Sequence, residues 1–184
     1  WSHGETMFMR HLNTQSFRLL DQREVMTAQL RTRNDWQQYR AGIRETLADI
    51  MGPMPKKTPL NVQVAGTLQK DGYRVEKIIF ESLPNFFVTG AVFVPDGLTG
   101  KRPAIIYVPG HTMPCWRGEG YQNVCVNLAK KGFIVFGMDC ISQGERMQYL
   151  NAETGKSDIG GATKEHSYAA NQCFLTGYSP VKWF

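Results

Sequence analysis

Gly110, His111 and Thr112 follow an apolar run that ends at Val108-Pro109, in the stretch "AIIYVPGHTMPCWRGEGYQ". A strand that stops at Pro-Gly and enters polar residues turns peptide N–H groups toward whatever lies beyond the sheet edge. Such donors stabilise charge that develops on a carbonyl oxygen during acyl transfer, and losing one typically costs about 3 kcal/mol of transition-state stabilisation. Gly110 would let the backbone approach a ligand closely, and Trp116 and Tyr121 offer aromatic faces for stacking on a sugar. The same residues also read as nothing more than a sharp turn.

A second cluster lies in "DCISQGERM", residues 139–147. Asp139 closes a strand and reads as a structural cap of its loop ahead of a triad acid. Gly144 permits a tight turn. Gln143, Glu145 and Arg146 can pair with neighbouring loops, and Glu145 with Arg146 reads as a scaffold ion pair ahead of an acid/base pair.

Other chemistries are less well supplied. A Cys140–His111 dyad would be a nucleophilic hydrolase in its own right, but no third group has a claim to orient it. Metal binding by His111 and Cys115 needs two further ligands, and His3, His11 and His166 stand at no useful spacing. His166 reads as a helix cap or loop residue. The four cysteines, Cys115, Cys125, Cys140 and Cys173, form no CxxC pair. That spacing argues against zinc or a redox dithiol and makes buried thiols the default, with one disulfide open in an oxidising compartment. No metal or organic cofactor is called for.

The elements that must position these residues are legible from periodicity. Residues 15–51 read as two helices. Trp36, Tyr39, Ile43, Leu47 and Ile50 make one apolar stripe on the second, Asn34 with Gln37 resembles a capping box, and Gly52-Pro53 ends it. The segment "GPMPKKTP" (52–59) is the best boundary in the chain. The division is therefore a helical extension over 1–52 and a second domain over 53–184. Stretches 61–69, 73–82 and 86–95 are rich in Val, Ile and Phe, and the turns Asp71-Gly72 and Pro84-Asn85 separate them, which predicts an antiparallel series. Strand 104–108, a helix within 119–131 and strand 133–139 then predict a parallel βαβ unit covered on both faces. A last helix is expected over 164–176. In open α/β sheets ligands bind beyond the carboxyl ends of parallel strands, so loops 109–118 and 139–147 belong to one site.

Bulk properties exclude several classes. The chain has 184 residues, 42% hydrophobic and 20% charged, which is globular composition. Its net charge of +5 comes largely from arginines spread along helical sequence with acidic neighbours. That pattern is a solvated face, and no nucleic-acid motif accompanies it. No run has the length of a membrane span. The N-terminal "WSHGETMFMRHL" lacks the layout of a signal peptide, which leaves export open.

Taken together and in order, "RPAIIYVPGHT", "GYQNVCVNLAKKG" and "FIVFGMDCISQGER" resemble the α/β-hydrolases. With "GPMPKKTPLNVQVAGTLQKDGYRVEKIIFES" and "EHSYAANQCFLTGYSPVKWF", they are similar more closely to acetyl xylan esterase-like carbohydrate esterases. The resemblance implies an α/β fold and hydrolysis of acyl or methyl esters of carbohydrates. It also implies a secreted or periplasmic location and an oxyanion N–H from His111 or Thr112, with Gln143-Gly144 supporting the nucleophile turn. Such an esterase needs a Ser on a G-x-S-x-G elbow, followed by an acid and a His. No G-x-S-x-G is present, and the nearest approach, "TGYSPV" (176–181), has Pro180 after Ser179. The reading is thus an incomplete α/β-hydrolase domain that carries the oxyanion loop and is inactive alone. An open sheet edge would pair with a missing C-terminal half or with a second copy. The rival reading is a non-catalytic module that holds a sugar or a partner chain.

Overall fold

The computed structural model describes residues 3–177 and 179. The chain divides into two compact units, Trp1–Ile50 and Met51–Phe184.

The first unit is helical. Helix α1 spans Met7–Ala28 and α2 spans Arg33–Met51. The first helix starts well before residue 15, where periodicity had placed the first helical residues. Its hydrophobic residues lie all round the cylinder, so no stripe marked its beginning. The cap of α2 also falls elsewhere than expected. Asp35 N–H donates to Thr32 Oγ1 at 3.1 Å and Thr32 N–H donates back to Asp35 Oδ2 at 2.8 Å. This reciprocal pair is a capping box on Thr32 and Asp35, not on Asn34 and Gln37. Arg23 Nε donates to the Tyr39 hydroxyl at 3.3 Å and links the two helices.

The second unit is built on a five-stranded sheet of order β1-β2-β3-β5-β4. Strands β1 (Gln63–Lys70), β2 (Tyr73–Leu83) and β3 (Phe86–Pro95) form the antiparallel meander that their alternation and turns predict. After β4 (Ala104–Tyr107), helix α3 (Glu119–Lys130) crosses over and returns the chain as β5 (Ile134–Met138). Strand β5 pairs in parallel with β4 and antiparallel with β3, so the sheet is mixed. A two-stranded ribbon, β6 (Leu150–Asn151) and β7 (Lys156–Ser157), precedes helix α4 (Ala162–Leu175).

Helix α3 buries Cys125 and Ala129 against Val75, Ala91, Phe93 and Val135, and Cys115 and Trp116 complete that core. The expectation that both faces of the βαβ unit are covered does not hold for β4. Its period-two alternation turns Ile105 and Tyr107 inward, while Ile106, on the other face, is 69% exposed. No helix among the described residues is long and apolar enough to cross a membrane.

Candidate active site

The two parallel strands deliver their following loops to the same edge of the sheet, and two hydrogen bonds tie the loops together. Thr112 N–H donates to Gln143 Oε1 at 2.7 Å, and Gly144 N–H donates to the Met113 carbonyl at 2.8 Å. Gln143 is nearly fully buried, so the first bond is made out of water and holds its loop firmly. It also removes Thr112 from the expected oxyanion donors, because its one N–H is already committed. The His111 N–H has no protein acceptor among the described residues.

The second loop is built around Asp139, which is fully buried. Its carboxylate accepts from Thr89 Oγ1 at 2.7 Å and from Arg117 Nη1 at 2.6 and 2.8 Å. Its carbonyl accepts from Arg146 Nη1 at 2.9 Å. Every polar atom of Asp139 thus faces a structural partner. Glu145 reaches Arg117 Nη2 at 3.1 Å, so the expected Glu145–Arg146 pair is replaced by Glu145–Arg117 and by Arg146 on the Asp139 backbone. Gly144 has φ +59°, and a Cβ there would overlap the Asp139 carboxylate. Only glycine satisfies both constraints.

A cavity of about 590 Å³ opens beside these loops. Gly110, His111 and Gln143 line it, together with Cys140, Ile141 and His166. The His111 and His166 rings meet edge to face with centroids 4.7 Å apart, and His166 Nε2 lies 2.7 Å from the Ile141 carbonyl. His166 was expected at a cap or in a loop. It sits inside α4 instead, against His111 of the first loop and Ile141 of the second.

Trp116 and Tyr121 are not part of that lining. Trp116 is 6% exposed, edge-on to Phe93 with centroids 5.7 Å apart, and covered by the Arg117 guanidinium 4.4 Å above its ring. Its face is unavailable to a sugar, which corrects the stacking role expected for it. The reason is Gly137, whose missing side chain leaves the space the indole occupies: a Cβ there would sit 3.2 Å from Trp116 Cβ. The Tyr121 hydroxyl lies 3.1 Å from where a Cβ on Gly110 would stand, so this tyrosine fills the open side of the glycine.

Ser142 went unremarked in the sequence. It lies in "CISQG", follows a strand and has φ +63°, features of a nucleophile turn. Its side chain is fully buried, however, and its hydroxyl has no partner among the described residues. Glu165 on α4 is also fully buried. It accepts the Gln148 N–H at 2.9 Å through Oε2 and leaves Oε1 unpaired. The "TGYSPV" stretch lies partly outside the described residues. No group of three or more His, Cys, Asp or Glu among the described residues could hold a metal.

This arrangement, a mixed sheet with two tied loops at the carboxyl ends of adjacent parallel strands, is that of the α/β-hydrolases, and the chain belongs to the Abhydrolase family, whose model matches residues 11–164. Two solved structures are similar in fold. One, a Bacteroides fragilis protein assigned as an acetyl xylan esterase, superposes with a TM-score of 0.62 at 21% identity, over 82% of this chain and 40% of its own. The other, the methylesterase BT1017, gives 0.58 at 19% identity, over 84% and 35%. The chain therefore spans well under half the length of either. No match is found among curated proteins.

Proposed function

We propose that this chain is the oxyanion side of a serine carboxylic-ester hydrolase that acts on acyl or methyl esters of carbohydrates. The observation that carries the reading is the His111 N–H, which has no protein acceptor among the described residues and lies beside the cavity, on a loop tied by hydrogen bonds to Gln143 and Gly144. A fixed donor acts on an oxyanion without having to reorganise as charge develops, which is the source of its catalytic value. The names of the two fold neighbours, an acetyl and a methyl esterase, point to ester substrates of this kind. In the reaction, a serine attacks the ester carbonyl and the resulting oxyanion settles on the His111 N–H. Collapse of the intermediate then expels the alcohol. The nucleophile, acid and histidine base come from the part of the hydrolase beyond these 184 residues. Gly110, Gln143, Gly144, Asp139 and Arg146 serve by positioning. The rival reading, a non-catalytic module that holds a sugar or a partner chain, loses Trp116 as a stacking face for the sugar.

The test uses the hydrolase that carries this segment, assayed on 4-nitrophenyl acetate. H111P removes the N–H and lowers kcat by about 100- to 1000-fold with little change in KM. H111A keeps the N–H and loses far less. Wild-type kcat in H111P would sink the assignment. The 184-residue chain by itself takes no fluorophosphonate adduct on any serine; a stoichiometric adduct would show that it contains its own nucleophile.

A further inference from the structure

Two of the four cysteines meet at the cavity wall, although nothing in their spacing pairs them. Cys115 opens the short helical turn within the first loop, is fully buried and holds a left-handed φ of 52°. Cys140 follows β5 and lines the cavity. The Cys140 peptide N–H donates to Cys115 Sγ at 3.4 Å, which brings the Cys115 sulfur within one side chain's reach of the Cys140 sulfur. The Cys115 thiol itself donates to the Met138 carbonyl at 3.4 Å. Cys125 sits in the core under α3 and Cys173 lies on α4, so neither competes for this partnership.

We propose that Cys115 and Cys140 form a hydroperoxide-sensitive thiol pair, a modification site that closes to a disulfide across the two site loops. Position gives the pair its order. Cys140 faces the cavity and meets the oxidant, whereas Cys115 is sealed behind it. The adjacent Cys115 side chain, reinforced by the Arg146 charge, lowers the Cys140 thiol below the ordinary thiol range, against burial and the nearby Asp139. The neighbouring Cys140 side chain and burial hold the proton on Cys115, whose S–H faces the Met138 carbonyl. The Cys140 thiolate attacks one peroxide oxygen. An S–O bond forms, the O–O bond breaks, and the departing oxygen takes up a proton. The Cys115 sulfur then attacks the Cys140 sulfur. An S–S bond forms, the S–O bond breaks, and the hydroxide leaves as water with the Cys115 proton. Two thiols lose two electrons and the peroxide gains them. The disulfide takes Cys140, the one thiol among the described residues that line the cavity, out of reach and adds a covalent tie beside the Thr112–Gln143 and Gly144–Met113 bonds. This inference stands apart from the ester-hydrolase reading, since its chemistry needs neither a serine nor an ester.

The test treats the reduced 184-residue chain with hydrogen peroxide, blocks remaining thiols by alkylation and maps peptides without reduction. The expected result is a loss of two hydrogen masses, one linked peptide pair carrying Cys115 and Cys140, alkylated Cys125 and Cys173, and full reversal by a dithiol. C115S accumulates a sulfenic acid on Cys140 that dimedone captures. C140S slows oxidation at Cys115 at least about tenfold. Any other pairing overturns the proposal, as does Cys140 oxidised to sulfinic acid while Cys115 stays a thiol. Oxidation of Cys115 at the wild-type rate in C140S would overturn the stated order. The mapping of the wild-type chain decides the pairing without relying on either variant to fold.

Discussion

Asp139 and Gly144 form one unit at the level of single residues. The carboxylate is fully buried and draws donors from β3 through Thr89 and from the turn within the first loop through Arg117. A buried charge of this kind persists only when it is paired and hydrogen-bonded, since leaving one uncompensated costs on the order of 3 kcal/mol. Gly144 lets the chain fold tightly over that carboxylate. The substitution G144A therefore meets two penalties, a left-handed backbone and a collision with a group that cannot move away. It should lower unfolding stability by more than about 2 kcal/mol in urea titrations. Gly155 provides the comparison, with φ +65° and nothing within 4 Å of a built Cβ. G155A should cost only about 1 kcal/mol, the backbone share alone. Equal losses in the two variants would mean that Asp139 yields to the new methyl group.

At the scale of elements, the first loop owes its position to the second. Q143A removes the acceptor of the Thr112 N–H and leaves a half-buried donor unpaired, at a cost of about 1–3 kcal/mol. Hydrogen exchange at the Thr112 amide should accelerate strongly in Q143A, while amides in β3 keep their protection. Unchanged exchange at Thr112 would mean that the loop is held by its other contacts. How far such relations can be read from a sequence depends on what carries them. The strands of the meander and the β4-α3-β5 crossover were legible within a few residues, because alternation, apolar runs and Asp-Gly or Pro-Asn turns are local signals. The cavity's strand-end loops were legible as a pair for a topological reason. The Gln143–Thr112 bond was not, since a side chain crossing between loops leaves no trace in spacing. The burial of Trp116 depends on the absent side chain of Gly137 on a neighbouring strand, and the meeting of Cys115 with Cys140 depends on strand register. His166 reaches the cavity only because α4 folds back over the strand ends. In α2, Thr32 with Asp35 and Asn34 with Gln37 both have capping spacing. The side chains chose the first, where the Thr32 hydroxyl accepts the Asp35 N–H and the Asp35 carboxylate also takes the Arg31 N–H at 3.0 Å.

For the whole molecule, β4 is one of the two flanks of the sheet, at the end away from β1. It ends the strand order, and Ile106 and the following Val108 stand 69% and 59% exposed. An apolar edge strand with free backbone groups is a template for further pairing. Gel filtration of the 184-residue chain should show an apparent size that grows with concentration, and I106K with V108K should abolish that growth. A wild-type chain that elutes as a compact monomer across the range would show that the edge is protected without a partner. The crossover has a different consequence for how such a chain is made. Strand β4, both loops, helix α3 and β5 come from one uninterrupted run, 104–147, and β5 docks on β3, which precedes that run. On a ribosome that releases about 5–20 residues per second, domains fold as they emerge. The wall of the cavity with its two ties can therefore set during synthesis, before α4 arrives to close the far side, so later segments meet a preformed docking surface and not a coil.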